Sequence, residues 1–194
     1  MNTRMQDAIN STNGTYNGIQ LLFKHALSNI EFNVARADYY VGAQIYVNRI
    51  RLINVAKKAT FEQNAESSTP VWRDHDFNDH TILCFGNTNG TTDFSVDSKE
   101  PTPLLEDNEG HPVLAIPQSL IVTSRAADLQ PQLEITYSII SPGSTIKVRN
   151  KKTIDLSSLN VLRWEMGKKY IYNIKISLTT IKVNIGVDNW DEVL

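Results

Sequence analysis

Cysteine is nearly absent from this sequence, and neither sign of charge dominates it. A single cysteine among 194 residues, Cys84, excludes an internal disulfide framework. It lies in the apolar run TILCF, where a small buried hydrophobic side chain is expected. Lysine and arginine number 19 against 21 aspartates and glutamates, which gives a formal net charge of −2. This balance argues against nucleic acid as a partner, because binding it requires a clustered basic surface.

Long apolar runs are absent as well. The sequence has no stretch of about eighteen apolar residues, so no membrane-spanning segment is predicted. Residues 1–18 are polar and lack the apolar core that a signal peptide carries. Either the protein stays in the cytoplasm, or an export leader stands upstream of Met1.

Catalytic signatures are missing too. The sequence contains no Gly-x-Ser-x-Gly elbow and no glycine-rich phosphate loop that leads into a helix. The acidic residues are too many, and too little distinguished by context, to single out a pair for glycoside hydrolysis. An enzyme would need titratable groups in one cleft, such as His75, Asp76, His80 and His111 together. We therefore predict that the chain is not an enzyme and uses no cofactor.

The densest polar cluster is DHDFNDH, residues 74–80. Asp74, Asp76 and Asn78 match the opening ligands of a calcium loop, and His80 is a further weak metal candidate. The glycine and the bidentate glutamate that such a loop needs later are both replaced by other residues. A solvated loop is therefore predicted here, and no metal site.

What the sequence does contain is long stretches of alternating polarity. One apolar row near the C-terminus consists of Tyr170, Tyr172, Ile174, Ile176 and Leu178. After a Thr-Thr turn the alternation resumes with a second row, Ile181, Val183, Ile185 and Val187. A period of two places one set of side chains on a buried face and the other in water, which predicts β-strands. Nine residues at this spacing span about 30 Å, enough to cross a sandwich.

A change of phase in residues 45–52 predicts a β-bulge. Ile45 and Val47 set one phase, and Ile50 and Leu52 set the opposite one. Along the whole chain we count about eight to ten strands separated by turn signals, with one helical turn near residues 156–162. This pattern predicts an all-β antiparallel sandwich with little helix.

Four stretches, in this order and spacing, resemble the fimbrillin-like proteins of Bacteroidales. They are LLFKHALSNIEFNV at residues 21–34, IRLINV at residues 50–55 followed by Phe61 and Trp72, AIPQSL at residues 115–120, and WEMGKKYIY at residues 164–172 before Trp190. The resemblance covers residues 19–190. Members of this family are protease-processed subunits of type V pili at the cell surface.

The resemblance implies a domain organisation and a location. Residues 19–194 resemble the C-terminal of two β-sandwich domains with transthyretin-like Greek-key topology. Residues 1–18 then form a lead-in from an N-terminal domain that this chain lacks. The family implies a lipoprotein precursor that is exported to the outer membrane and matured by proteolysis.

The resemblance also implies how the protein works. Pilus subunits assemble by β-strand addition, in which a donor strand from a neighbouring subunit pairs with an open sheet edge. The predicted assembly or edge strand carries Ile181, Val183, Ile185 and Val187. Because this strand is expected to be used within its own domain, a tip, accessory or anchor subunit is favoured. The partners would be other pilus subunits and surface ligands of the host or of other bacteria.

The alternative reading is a carbohydrate- or host-ligand-binding β-sandwich module without catalysis. It would require exposed, coplanar aromatic rings among Trp72, Trp164, Trp190, Tyr39 and Tyr40. Each tryptophan adjoins a predicted strand, so we expect buried anchors instead.

Overall fold

The structure is a computed structural model that describes residues 25–37, 41–63, 70–77, 81–104 and 113–190. These residues form twelve strands and two short 3-10 helices. The strands are β1 (Ser28–Arg36), β2 (Gln44–Ile53), β3 (Lys58–Glu62), β4 (Val71–Asp76), β5 (Thr81–Gly86), β6 (Phe94–Ser95), β7 (Thr102–Pro103), β8 (Val113–Ala115), β9 (Gln132–Ile140), β10 (Lys147–Asp155), β11 (Lys168–Ile176) and β12 (Ile181–Asn189). The 3-10 helices are Ala127–Leu129 and Leu156–Leu159, and the second confirms the predicted helical turn. Residues 1–18 lie outside the described ranges, so the predicted lead-in stays a prediction.

The strands form two five-stranded sheets and a separate hairpin. Sheet A has the order β12-β11-β1, and the short strands β7 and β8 share the other side of β1. Sheet B has the order β10-β9-β2, and β5 and β6 share the other side of β2. The hairpin consists of β3 and β4. The chain crosses between the sheets at four points, so consecutive strands such as β1 and β2 lie in different sheets, as in Greek-key folds.

The prediction of an all-β antiparallel sandwich with little helix is confirmed. Among the described ladders one is parallel, between β1 and β11. It joins a strand near the start of the described chain to one near its end. Both strands are interior in sheet A, where parallel pairing with buried faces is common.

The core lies between the two sheets and is filled by the predicted alternating rows. From β11, Tyr170, Tyr172, Ile174 and Ile176 are all buried, which confirms the alternation read from the sequence. Sheet B contributes a matching set that is fully buried: Ile45, Val47, Ile50, Leu52, Leu133 and Ile135. Burying each such side chain contributes about 1.5–3 kcal/mol to folding.

Two tyrosines carry polar tips into this core, and both tips are hydrogen-bonded. The Trp164 indole N–H donates to the Tyr172 hydroxyl oxygen at 3.0 Å, inside the core. The backbone N–H of Glu165 donates to the Tyr170 hydroxyl oxygen at 2.9 Å. Burial raises the pKa of both hydroxyls, so they stay neutral at physiological pH. The polar atoms therefore fix how β11 sits against the segment before it, without leaving an unpaired group.

The predicted bulge is present in β2, where it shifts by one residue which side chains of the strand face the core. The pairing of β2 with β9 shifts between Val47 and Arg49, which leaves Asn48 as the extra residue. The Asn48 side chain is buried, and its amide donates to the Thr92 carbonyl and to an Asp93 carboxylate oxygen, both at 2.8 Å. Its own oxygen accepts from the Ser138 hydroxyl at 2.7 Å. The bulge can therefore place a polar side chain inside at little cost, while the apolar rows on either side of it both face the core.

Gly86 packs against this bulge and is expected to be intolerant of any side chain. Its φ is +75°, and a Cβ atom there would lie 2.3 Å from the Asn48 carbonyl oxygen, which is backbone. We expect Gly86→Ala to lower the free energy of unfolding by about 2–3 kcal/mol, through strain and displacement of the bulge. Equilibrium denaturation in urea measures this.

Gly186→Ala is the matched control. Gly186 lies in β12, has no positive φ, and would place a Cβ with nothing within 4 Å. We expect a change in unfolding free energy of at most about 1 kcal/mol. Equal losses for the two variants would contradict the role assigned to Gly86.

Candidate functional site

Sheet edges are the most conspicuous surface feature of the fold. Among the described strands, the long strands β12 and β10 each pair on one side only, β12 with β11 and β10 with β9. An edge strand presents unpaired N–H and C=O groups that can accept another strand. The two edges differ in charge and in how they are fixed.

Strand β12 carries the predicted edge residues, and it lies at the edge of sheet A. It pairs with β11 over nine residues, from Ile181 opposite Ile176 to Asn189 opposite Lys168. The side chains of Ile181, Val183 and Ile185 are half-buried, and Val187 is 53% exposed. The edge position agrees with the prediction, whereas a role in assembly stays a prediction.

Both ends of β12 are fastened to the domain. At its start, the Ser177 hydroxyl accepts hydrogen bonds from the backbone N–H groups of Thr179 (3.2 Å) and Thr180 (2.8 Å). Beyond its end, the ring of Trp190 stacks on His25, with centroids 3.6 Å apart and planes 5° apart. His25 is half-buried and precedes β1.

A charged cluster that the sequence analysis missed lies on the outer face of sheet B. The Glu134 side chain is only 4% exposed, and its Oε1 accepts from Arg51 Nε at 2.9 Å and from Arg51 Nη2 at 2.5 Å. Arg49 and Lys151 lie 3.4 and 3.5 Å from the same carboxylate. Burial by itself raises the pKa of Glu134, but the Arg51 hydrogen bonds and the three positive charges outweigh it and hold the pKa below its usual value.

A groove of about 640 Å³ lies beside strand β4, and residues 117–124 and 163–166 form much of its wall. Two ring nitrogens at this groove are already used by the backbone. Trp72 Nε1 donates to the Ala26 carbonyl at 2.7 Å, and His75 Nε2 lies 2.8 Å from the Pro117 carbonyl oxygen. These groups therefore hold the β3–β4 hairpin to the sandwich and are not free for a ligand.

The tryptophans do not behave as one platform in the described contacts. Trp164 is 1% exposed, which confirms the predicted buried anchor. Trp72 is half-buried and packs at 51° to the ring of Phe61, and Trp190 stacks on His25. Tyr39 and Tyr40 lie outside the described residues. The ligand-binding module therefore gains no support from coplanar exposed rings.

The weak metal candidates are only partly described. Asp74 is exposed, with φ +51°, where β4 pairs irregularly with β3. Asp76 is half-buried, and Asn78 and His80 lie outside the described residues. Within the described ranges, no group of three or more histidine, cysteine, aspartate or glutamate side chains is placed to hold a metal ion.

Two further sequence expectations concern reactive groups. Cys84 is half-buried against the core, and burial raises its pKa to about 12, so it is a thiol at neutral pH.

Of the four groups that an enzyme would have to bring together, His80 and His111 lie outside the described residues. His75 is held to the Pro117 carbonyl as described above.

The sequence matches one family of known proteins. A family model described as Fimbrillin-like matches residues 5–190. The chain belongs to the fimbrillin-like family. No curated protein matches it in sequence.

Several solved structures resemble this chain. A fimbrial protein from Bacteroides vulgatus is 18% identical, with a TM-score of 0.48 over 87% of this chain and 56% of that one. A candidate cell adhesion protein from Bacteroides uniformis is 15% identical, with a TM-score of 0.44 over 89% and 54%. The tip fimbrial protein Mfa3 from Porphyromonas gingivalis, with a C-terminal truncation, is 13% identical, with a TM-score of 0.37 over 86% and 52%. The chain spans about half the length of these proteins. None of the helices in the described residues has the length and apolar character to cross a membrane.

The Glu134 cluster generates a prediction about stability and pH. Because the folded pKa of Glu134 is below its usual 4.5, the ionised carboxylate stabilises the fold above that pH. This contribution is lost as the pH falls through the lowered pKa. We expect Glu134→Gln to lower the free energy of unfolding by about 1–3 kcal/mol at pH 7. The gap between variant and wild type should close at pH values below the folded pKa, as measured by urea denaturation across pH.

Glu62→Gln provides the control. Glu62 pairs with Arg73 at 2.6 Å, but both side chains are more than half exposed. Its loss should change the unfolding free energy by no more than about 0.5 kcal/mol. A Glu134→Gln effect that is equally small at pH 7, or that persists unchanged in acid, would contradict the prediction.

Proposed function

We propose that this chain is the C-terminal β-sandwich domain, residues 19–194, of a structural and adhesive pilus subunit at the bacterial cell surface, without catalytic activity. The observation that carries the proposal is the fimbrillin-like match over residues 5–190, which runs through the whole described sandwich. The remaining half of the protein would supply an N-terminal domain, a lipoprotein signal and the protease-processed segment. The precursor would then be exported to the outer membrane.

The fold suits a structural subunit. A sandwich built from long ladders carries its stability in main-chain pairing and a continuous apolar core. The polar groups inside the core, at Asn48 and Tyr172, are satisfied by other parts of the domain. Assembly would join such domains through β-strand addition at open edges, with other pilus subunits as partners.

Within the pilus, we propose a tip, accessory or anchor position for this subunit. The supporting observation is that β12 is engaged over all nine residues with β11 and is fastened at both ends. Releasing it would expose three half-buried aliphatic side chains and the backbone groups of β11, at a cost of several kcal/mol. The strand is therefore retained in its own domain and is not donated to a neighbour.

Localisation tests the pilus assignment. We expect antibodies raised against this chain to label surface fibres of its native cells by immunogold electron microscopy, and to detect the protein in sheared surface material. A strain that lacks the gene gives the background labelling. Recovery of the protein in the cytoplasmic fraction, with no surface label, would refute the proposal.

A disulfide lock tests the proposal that β12 is retained. Lys175 and Lys182 lie directly opposite each other on β11 and β12, and both are exposed. We expect the full-length double variant Lys175→Cys/Lys182→Cys, once oxidised, to enter pili in the same amount as the wild type. Immunoblots of purified pili measure this, with the two single variants as controls. If oxidation blocks incorporation and a reductant restores it, then β12 must leave the domain and the proposed position is wrong.

A further inference from the structure

The second long edge, β10, carries a row of positive charge. Lys147, Arg149 and Lys151 occupy every second position, opposite Ile140, Ser138 and Thr136 of β9. Since side chains two residues apart on a strand share a face, these three cations lie on the outer face of sheet B, about 7 Å apart. The chain as a whole has a formal net charge of −2, so this edge differs from the average surface.

The neighbouring anions leave much of this charge available. Glu134 lies on the same face, but Arg51 and Arg49 already bind its carboxylate, and Lys151 remains 64% exposed. Lys147 pairs with Asp93, and 35% of its side chain is exposed. Arg149 donates to the carbonyls of Asn89 and Gly90, which orient its guanidinium without neutralising it. Asp155, at the far end of the row, accepts from Gln132.

The same edge also offers apolar surface and unpaired backbone. Ile146, directly before β10, is 70% exposed, and Val148 within it is 53% exposed. In the described structure β10 has β9 on one side and no strand on the other. Cationic side chains, apolar side chains and main-chain hydrogen-bonding groups are thus presented together along nine residues.

This combination fits an extended acidic polypeptide. A strand that paired with β10 would place its alternate side chains at the same repeat of about 7 Å, directly across from the cations. Its intervening apolar residues would cover Val148, and its backbone would satisfy the open ladder. A polyanionic glycan would meet the charges but would neither pair with the backbone nor cover the apolar side chains.

A second copy of β10 is a poor occupant. Two such strands would set lysine and arginine opposite one another, and like charges across a ladder are destabilising. Lysine on an edge is a known protection against association between identical strands. Here the same charges that reject another copy attract a strand of opposite charge.

We propose that β10 is a docking edge for an extended acidic segment of another protein, in which carboxylates alternate with apolar residues. This inference rests on the geometry of sheet B alone and does not require the pilus assignment. It also concerns an edge different from the one occupied by β12.

Peptide binding to the purified 194-residue chain tests it. The probe is a fluorescent nine-residue peptide of alternating glutamate and valine, compared with a peptide of the same composition arranged as two blocks. We expect the alternating peptide to bind more tightly, and its affinity to fall as salt rises from 50 to 500 mM, because charge pairs at an exposed edge are screened. Hydrogen exchange should show protection of residues 147–155.

Variants then locate the site. Lys147→Gln/Lys151→Gln should weaken binding of the alternating peptide about threefold to tenfold, as expected for two cross-strand charge pairs. The control Lys175→Gln/Lys182→Gln removes the same charge from strands β11 and β12 of sheet A and should leave binding unchanged. Thermal denaturation of both variants verifies that each is folded.

Three results would overturn the proposal. If neither peptide binds, the lysines serve only to protect the edge. If the block peptide, an N-methylated alternating peptide or dextran sulfate binds equally well, the patch recognises charge and not a strand. If protection appears on β12 instead of β10, the docking edge is the other one.

Discussion

The parallel ladder between β1 and β11 is the constraint on which the rest of the sandwich depends. It runs from Asn29 opposite Lys169 to Arg36 opposite Ile176, and so joins segments about 140 positions apart in the chain. Along it the Phe32 and Tyr172 rings stack at 5.3 Å, and the Asn33 side-chain amide donates to the Asn173 oxygen at 3.0 Å. Without this ladder, the β11–β12 hairpin would not be joined to sheet A. The apolar face of sheet B would then lose the strands that cover it. Because the contacts are so distant in sequence, their closure carries a large entropic cost that the buried rows must offset.

Among the described strands, the two sheets leave two long edges that are protected in different ways. An open edge can pair with a strand of another molecule. Strand β12 is held in its own domain by a tight turn and by the Trp190–His25 stack. Strand β10 carries Lys147, Arg149 and Lys151, whose charges oppose pairing with an identical strand.

Polar groups inside the domain fix how its strands align. Asn48 and Glu134 are buried, yet each is hydrogen-bonded or ion-paired by residues distant in sequence. These contacts hold the register of β2 against β9 and of β9 against β10. The described clusters act on position and stability, and they are not arranged around a reacting atom.

Local patterns along the chain are enough to predict the class of fold and much of its layout. The alternation through β11 and β12, the phase change that marks the Asn48 bulge and the helical turn at residues 156–159 all follow from local periods, which a chain displays whatever it packs against. The family resemblance also rests on short local stretches, at residues 21–34, 50–55, 115–120 and 164–172. The folded structure is needed to see that β1 and β11 pair in parallel, that Trp190 stacks on His25, and that Arg49, Arg51 and Lys151 surround Glu134. Those contacts join residues far apart in the chain, so no local pattern encodes them. The register of β10 against β9 likewise decides which face of sheet B its charges occupy.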